Sequence, residues 1–149
     1  MNRLDAQKIK KIPTQPRTST IVCVTNQYEC ERLIKAGRVV ADLSNTDLRV
    51  INVSPVDISR TDFAALEYLY EVSKQYEASM SILYSDDAYH TLARYLKQNK
   101  ASHVVTGESD GKNTMLPHLW SRFSMTRFFT VSKNGQLQEV VTAPTAAMA

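Results

Sequence analysis

Residues 20–53 read TIVCVTNQYECERLIKAGRVVADLSNTDLRVINV. They open with Thr20 to Thr25, a short β-branched apolar run of the kind that forms a strand buried on both faces. Cys30, Leu33, Ile34, Gly37, Val40 and Ala41 then recur at helical spacing and share one face. Leu48 to Val53 is strand-like again, and Ser54-Pro55 stops it. Strand, amphipathic helix and strand joined by short links make a parallel unit whose right-handed crossover lays the helix on the sheet. Gly37 inside that helix costs about 1 kcal/mol relative to alanine unless close packing requires it.

The same cycle continues toward the C-terminus. Thr61 to Glu77 carries Phe63, Leu66, Leu69, Tyr70 and Ser73 at helical spacing, with Asp62 favourably placed at its start. Met80 to Tyr84 reads as a third strand, and Asp86 or Asp87 can cap a helix over 88–98 with Ala88, Leu92 and Leu96 inward. His103 to Thr106 reads as a fourth strand, followed by a polar loop from Gly107 to Asn113 and a short helical stretch over 115–123. Phe128 to Val131 is the fifth. Asn134-Gly135 then predicts a two-residue hairpin turn between 128–133 and 136–141, hence a sixth, antiparallel strand. The expected fold is an open, doubly wound α/β domain over 20–141. It has a five-stranded parallel sheet, helices on both faces and a C-terminal β-hairpin extension. Residues 1–19, with Pro13 and Pro16 and no sustained apolar period, read as a flexible leader, and 142–149 as a frayed tail.

Composition narrows the function. The chain has 149 residues, 43% hydrophobic and 22% charged, enough for one domain with one core. No apolar run reaches the roughly 18–20 residues of a membrane span, and the basic N-terminus has no apolar segment behind it, so the expected location is the cytoplasm. The net charge of +3 is concentrated in the leader, where Arg3, Lys8, Lys10, Lys11 and Arg17 face only Asp5. The remainder is nearly neutral and shows no basic stripe, which argues against nucleic-acid binding. Cys23 and Cys30 are too few for a disulfide framework or a four-cysteine zinc site. Cys23 reads as a buried small hydrophobe and Cys30 as a residue of the helix's inner face.

Glycine is scarce, and Gly107 and Gly111 bracket the loop at the carboxyl end of the fourth strand. In open α/β sheets ligands bind at that edge, where the strand order reverses. The chain resembles the universal stress protein superfamily, and particularly the stress-protein-like domain of Kdp-type potassium sensor kinases. The resemblance spans about 19–132. It rests on the order of Ile21 to Val24, Glu29 to Ile34, Ala65 to Leu69, Leu83 to Asp87 and His103 to Ser109. It implies sheet order 3-2-1-4-5 and a homodimer, here expected through the fifth strand and the hairpin. It also implies a nucleotide or other small ligand, without fixing a cofactor.

Nucleotide-binding members carry Gly-x2-Gly-x9-Gly and then Ser or Thr after the fourth strand, and exposed amides there cradle phosphate. In that register this chain offers Gly107, Asp110, Trp120 and Ser121, and a one-residue shift recovers Gly111, so the ATP motif is degraded. Where such members place an aspartate after the first strand, Thr25, Asn26 and Gln27 stand. Some Kdp-type domains bind cyclic di-AMP through Ser-x-Ser after the first strand and Phe-Thr-Ala-x-Tyr on the second. The equivalent positions are Thr25 to Gln27 and Leu48 to Asn52. The candidate ligand-binding residues are therefore Thr25, Asn26, Gln27, Gly107, Ser109, Gly111 and Ser121.

Other chemistry is weaker. His90, His103 and His118 share no metal-ligand spacing. Gly-x-Ser-x-Gly is complete at 107–111, but a hydrolase elbow needs an acid and a histidine downstream, and only Glu139 and His118 follow. With no nucleophile, base and acid in evident register, the expectation is a binding or signalling domain and not an enzyme. Its alternative is a ligand-independent dimeric interaction module. Trp120, Phe123, Phe128 and Phe129 read as an aromatic cluster packed in the core or exposed at a dimer contact.

Overall fold

A computed structural model describes residues 17–109 and 114–141. The expected tail and all but the last three residues of the expected leader lie outside the described residues, as does Gly111. The elements run β1 (Ser19–Cys23), α1 (Glu31–Ser44), β2 (Asp47–Ser54), α2 (Phe63–Gln75), β3 (Ser79–Tyr84) and α3 (Ala88–Gln98). They continue with β4 (Ala101–Gly107), α4 (Met115–Arg122), β5 (Arg127–Val131) and β6 (Leu137–Glu139). The sheet order is β3-β2-β1-β4-β5-β6, parallel throughout except for antiparallel β6. The expected 3-2-1-4-5 sheet with helices on both faces and a terminal hairpin is what the chain adopts. Among the described residues no helix is long and apolar enough to cross a membrane.

Strand alternation divides the interior into two layers. On one face Val22, Val24, Leu48, Val50 and Val105 pack under Leu33, Ile34, Val40 and Ala41 of α1 and Leu69 and Val72 of α2. On the other, Ile21, Ile51, Val104 and Phe128 pack under Leu92, Ala93, Tyr95 and Leu96 of α3 and Leu119 of α4. Val22, Val50 and Val105, in the middle three strands, are fully buried. Ile82, on edge strand β3, and Thr130 are half-buried. Local chemistry starts the helices as read: the Asp62 carboxylate accepts from Ala65 N at 3.0 Å, and Asp87, not Asp86, accepts from His90 N at 3.2 Å.

Three local expectations need correction. Phe63 and Tyr70 are exposed, because the stripe of α2 that meets the sheet is Ala65, Leu66, Leu69, Val72 and Ser73. The aromatic residues do not form one cluster: successive strand residues face opposite ways, so Phe128 joins the α3 and α4 layer while Phe129 packs on the α1 layer. The hairpin pairs Val131 with Leu137 and Thr130 with Gln138, which leaves a three-residue loop over 133–135 and not a two-residue turn. Ser132 and Gln136 close it through Ser132 N to Gln136 O at 2.9 Å, and Gly135 takes φ +84°. A turn followed by a left-handed residue is the standard three-residue solution.

Candidate functional site

β1 connects forward through α1 on one face, whereas β4 is reached through α3 on the other. The chain therefore parts at the carboxyl ends of β1 and β4, and a cleft opens between them. Its volume is about 520 Å³, within the usual range for a small-molecule site. Cys23, Ile51 and Val53 form an apolar floor, Leu92, Met115 and Leu116 one wall, and Cys30, Arg32 and Leu33 the other. Thr25, Gln27, Thr106, Gly107, Glu108 and Ser109 make a polar rim. Of the seven candidate residues, Thr25, Gln27, Gly107 and Ser109 thus come together.

The others do not line this cleft, or lie outside the described residues. Asn26 turns away, its Nδ2 donating to the carbonyl of Arg60 at 3.4 Å. Ser121 is exposed on α4, and its hydroxyl donates back to Pro117 O at 3.1 Å, one turn earlier in the same helix. Gly111 lies outside the described residues. Of the β2 stretch matched to the cyclic di-AMP register, Ile51 alone lines the cleft. Leu48 and Val50 are core residues of the opposite face. Asn52 is buried and consumed by the fold: its Nδ2 donates to Val24 O at 2.9 Å, and its Oδ1 accepts from Ser54 Oγ at 2.5 Å.

Gly107 is a strand residue paired with Val131, and its backbone is not left-handed. A Cβ there would meet Nη2 of Arg32 at 3.7 Å, an ordinary van der Waals contact, so the position places Gly107 beside the guanidinium without space requiring a glycine. Arg32 is among the cleft residues that the sequence reading missed, as is Glu108. The Arg32 Nε donates to Ser132 O at 2.9 Å and its Nη1 to Glu29 O at 2.7 Å, so the guanidinium is held at the cleft wall by two backbone carbonyls. The available signal was its place between Cys30 and Leu33, beside the inward stripe at the start of the first helix.

The Cys23 thiol at the floor is held in its protonated form. Cys23 is pushed up to about 12 by burial, and Cys30 shares a 3.4 Å contact with Thr25 Oγ1. Among the described residues no group of three or more His, Cys, Asp or Glu side chains could hold a metal ion. The downstream partners for the Gly-x-Ser-x-Gly match are engaged elsewhere: His118 meets the Tyr89 ring edge-on at 6.0 Å, and Glu139 is held by Arg127. The arrangement offers recognition: an apolar pocket, hydroxyl and amide groups at the rim, and the fixed guanidinium of Arg32.

No protein-family model and no curated protein matches this sequence. Solved structures match its fold. A universal stress protein in complex with cAMP has a TM-score of 0.58 and 16% identity, covering 80% of this chain and 99% of that one. A universal stress protein from Archaeoglobus fulgidus has a TM-score of 0.59 and 14% identity over 80% of this chain and 93% of its own. A member of the universal stress protein family from Burkholderia pseudomallei gives 0.54 and 15% over 80% and 98%. The architecture of this chain is that of these universal stress proteins.

Proposed function

We propose that this chain is a universal stress protein-type regulatory domain whose cleft binds a nucleotide or another small signalling ligand. The observation that carries the reading is the cleft itself: about 520 Å³ at the point where the strand order reverses, apolar below and polar at the rim. The fold neighbour in complex with cAMP supports a nucleotide as occupant. ATP is a poor candidate. Its usual phosphate loop would need glycines where Asp110 and Trp120 stand, and Trp120 is half-buried against the layer of Leu119 and Phe128. The rim supplies hydroxyl, amide and guanidinium groups suited to recognition, and on this reading the domain acts by occupancy.

Isothermal titration with mononucleotides and with ATP tests this, together with mass spectrometry of whatever copurifies with the native protein. The expected result is micromolar binding of a mononucleotide, around −8 kcal/mol. Ligand at a hundred times its dissociation constant then adds about 2.7 kcal/mol of stability. Micromolar ATP binding that Gly107→Val abolishes would overturn the degraded-loop reading. Absence of any copurifying or titrating small molecule would overturn the binding role.

The reading includes a cytoplasmic homodimer and a closer kinship with the domain of potassium sensor kinases. The hairpin pairs β6 with β5 inside one chain, so β5 has neighbours on both sides and the edge on that side of the sheet is β6. Light scattering that shows only monomer at micromolar concentration would remove the dimer. A second reading, an interaction module without a ligand, draws on Val56, Ile58 and Phe63, which are all at least half exposed beyond the end of β2.

A further inference from the structure

We propose that the homodimer forms through β3, which pairs antiparallel with β3 of a second copy about a two-fold axis at Ile82. The inference rests on the homodimer reading above and names the surface that the copies share.

The two edges of the sheet are unlike. β6 spans only Leu137–Glu139, and its Glu139 is held by Arg127 at 2.7 Å. Shortness and charge are what keep an edge strand from further pairing. Among the described residues β3 ends the sheet on the other side. It runs over Ser79–Tyr84, SMSILY, with neither a charge nor a proline. Its register against β2 is unbroken from Ser79 to Tyr84, so no bulge turns the edge away.

Backbone direction fixes what this edge presents. Ser85 N donates inward to Ser54 O at 2.9 Å, and successive strand residues turn their N–H and C=O to opposite sides. Ser81 and Leu83 therefore bond toward β2, and Met80, Ile82 and Tyr84 turn theirs outward. A two-fold axis normal to the sheet at Ile82 sets Ile82 against its own copy and Met80 against Tyr84. Each pair exchanges N–H and C=O, so one operator engages the outward groups of all three residues. Their side chains share the α2 face, where Met80 packs on the layer of Val50. Ile82 is half-buried and Tyr84 exposed, and the pairing gives each an apolar cross-strand neighbour.

The helix above that face extends the surface. α1 lies over β1 and β4, and α2 reaches β3. Tyr68 marks the flank of α2 near α1: its ring is 5.2 Å from that of Tyr28, and its hydroxyl donates to Glu31. At about 100° per residue, Phe63, Tyr70 and Lys74 fall on the other flank, bordering the β3 edge. Phe63 and Tyr70 are exposed there, and Lys74 Nζ lies 4.7 Å from the Tyr70 ring and 3.6 Å from Glu71. The same axis sets α2 antiparallel to its copy, bringing Lys74 of each toward Glu67 of the other. This match of unlike charges points to a second copy as the occupant.

The test is analytical ultracentrifugation of the full chain and of Ile82→Lys, Tyr84→Lys and, on the other edge, Gln138→Lys. Hydrogen exchange at low and high micromolar concentration accompanies it. Expected is a dimer that Gln138→Lys leaves intact and that the two β3 variants weaken by about tenfold or more. Tyr84 is exposed, so its variant does not endanger the fold, and circular dichroism checks each one. Higher concentration should slow exchange at the amides of Met80, Ile82 and Tyr84. Those of Ser81 and Leu83, bonded to β2 in either state, should not change. Lys74→Glu should weaken the dimer, and adding Glu67→Lys should restore it. A dimer indifferent to both β3 variants would overturn this inference and leave the homodimer reading intact. A chain that stays monomeric overturns both. Outward amides protected equally at every concentration would show β3 covered by something other than a second copy, and would also overturn the inference.

Discussion

Nε of Arg32 donates a 2.9 Å hydrogen bond to the carbonyl of Ser132, across 100 positions of sequence. The bond ties the start of α1, at the cleft, to Ser132, the residue that closes the loop between β5 and β6. The same carbonyl accepts from Gly135 N at 2.9 Å, so the contact bears on the loop geometry.

Removal of the guanidinium should loosen the hairpin before it affects the core. Arg32→Gln removes one hydrogen bond from each of two backbone carbonyls, worth about 1 kcal/mol apiece, while Ser132 O keeps the amide of Gly135. Hydrogen exchange of the amides of Gly135, Gln136 and Val140 should accelerate, while those of β1 and β4 change only with global stability. Uniform acceleration over the whole sheet would show that the bond has no special bearing on the hairpin.

Gly37→Ala should destabilise the domain although alanine is the better helix former. A Cβ on Gly37 would overlap a γ-methyl of fully buried Val22 and come within 3.1 Å of Leu48 Cδ1. The gain in helix propensity is about 1 kcal/mol, and overpacking a tight core costs about 1–3 kcal/mol. The net expectation is a loss of about 1 kcal/mol and a melting temperature lower by several degrees. A rise in melting temperature would show that α1 can shift away from β1.

Glu77→Gly should stabilise. Glu77 follows α2 with φ +56°, a left-handed conformation that costs an L-residue about 1 kcal/mol. Its amide bonds Lys74 O at 3.0 Å and the next amide, of Ala78, bonds Ser73 O at 2.8 Å, so the conformation closes the helix and cannot relax. Chemical denaturation should show a gain of a few tenths to about 1 kcal/mol for glycine, and a loss for Glu77→Val.

Stability should fall on mild acidification, through His103. Its ring stacks on Phe129 at 6.1 Å. Burial first and then Arg127 hold the imidazole below its ordinary value, with Glu139 opposing them. The fold thus favours the neutral ring. The stabilisation is complete above the unfolded value of about 6.5 and is lost as pH falls through the lower folded value. The melting temperature should decline as pH drops below about 6.5, and His103→Gln should flatten that part of the profile. An unchanged slope in His103→Gln would assign the decline to other groups.

Much of the fold was legible because the deciding signals are local. The alternation of β-branched runs with helical stripes announced βα units, and Leu33, Ile34 and Val40 pointed inward because period 3.6 leaves them on one face. Asp62 and Asp87 marked helix starts because a carboxylate that bonds nearby amides needs only its own neighbours. The switch-point cleft followed from the strand order, and Thr25, Gln27, Gly107 and Ser109 came with it.

What tertiary structure decided depends on contacts between distant segments. Asn134-Gly135 allows more than one turn, and only the pairing of Val131 with Leu137 sets the loop length, since a one-residue slip would exchange the faces of Leu137 and Gln138. Asn52 and Ile51 are adjacent in sequence, yet one is spent on Val24 O and the other floors the cleft, because strand neighbours face opposite layers. No local pattern singles out Arg32, because Ser132, 100 positions away, fixes where its guanidinium rests. Periodicity records which side of an element meets the core. The meeting of two strand ends, a helix start and a hairpin loop around one cavity is written only in the packed chain.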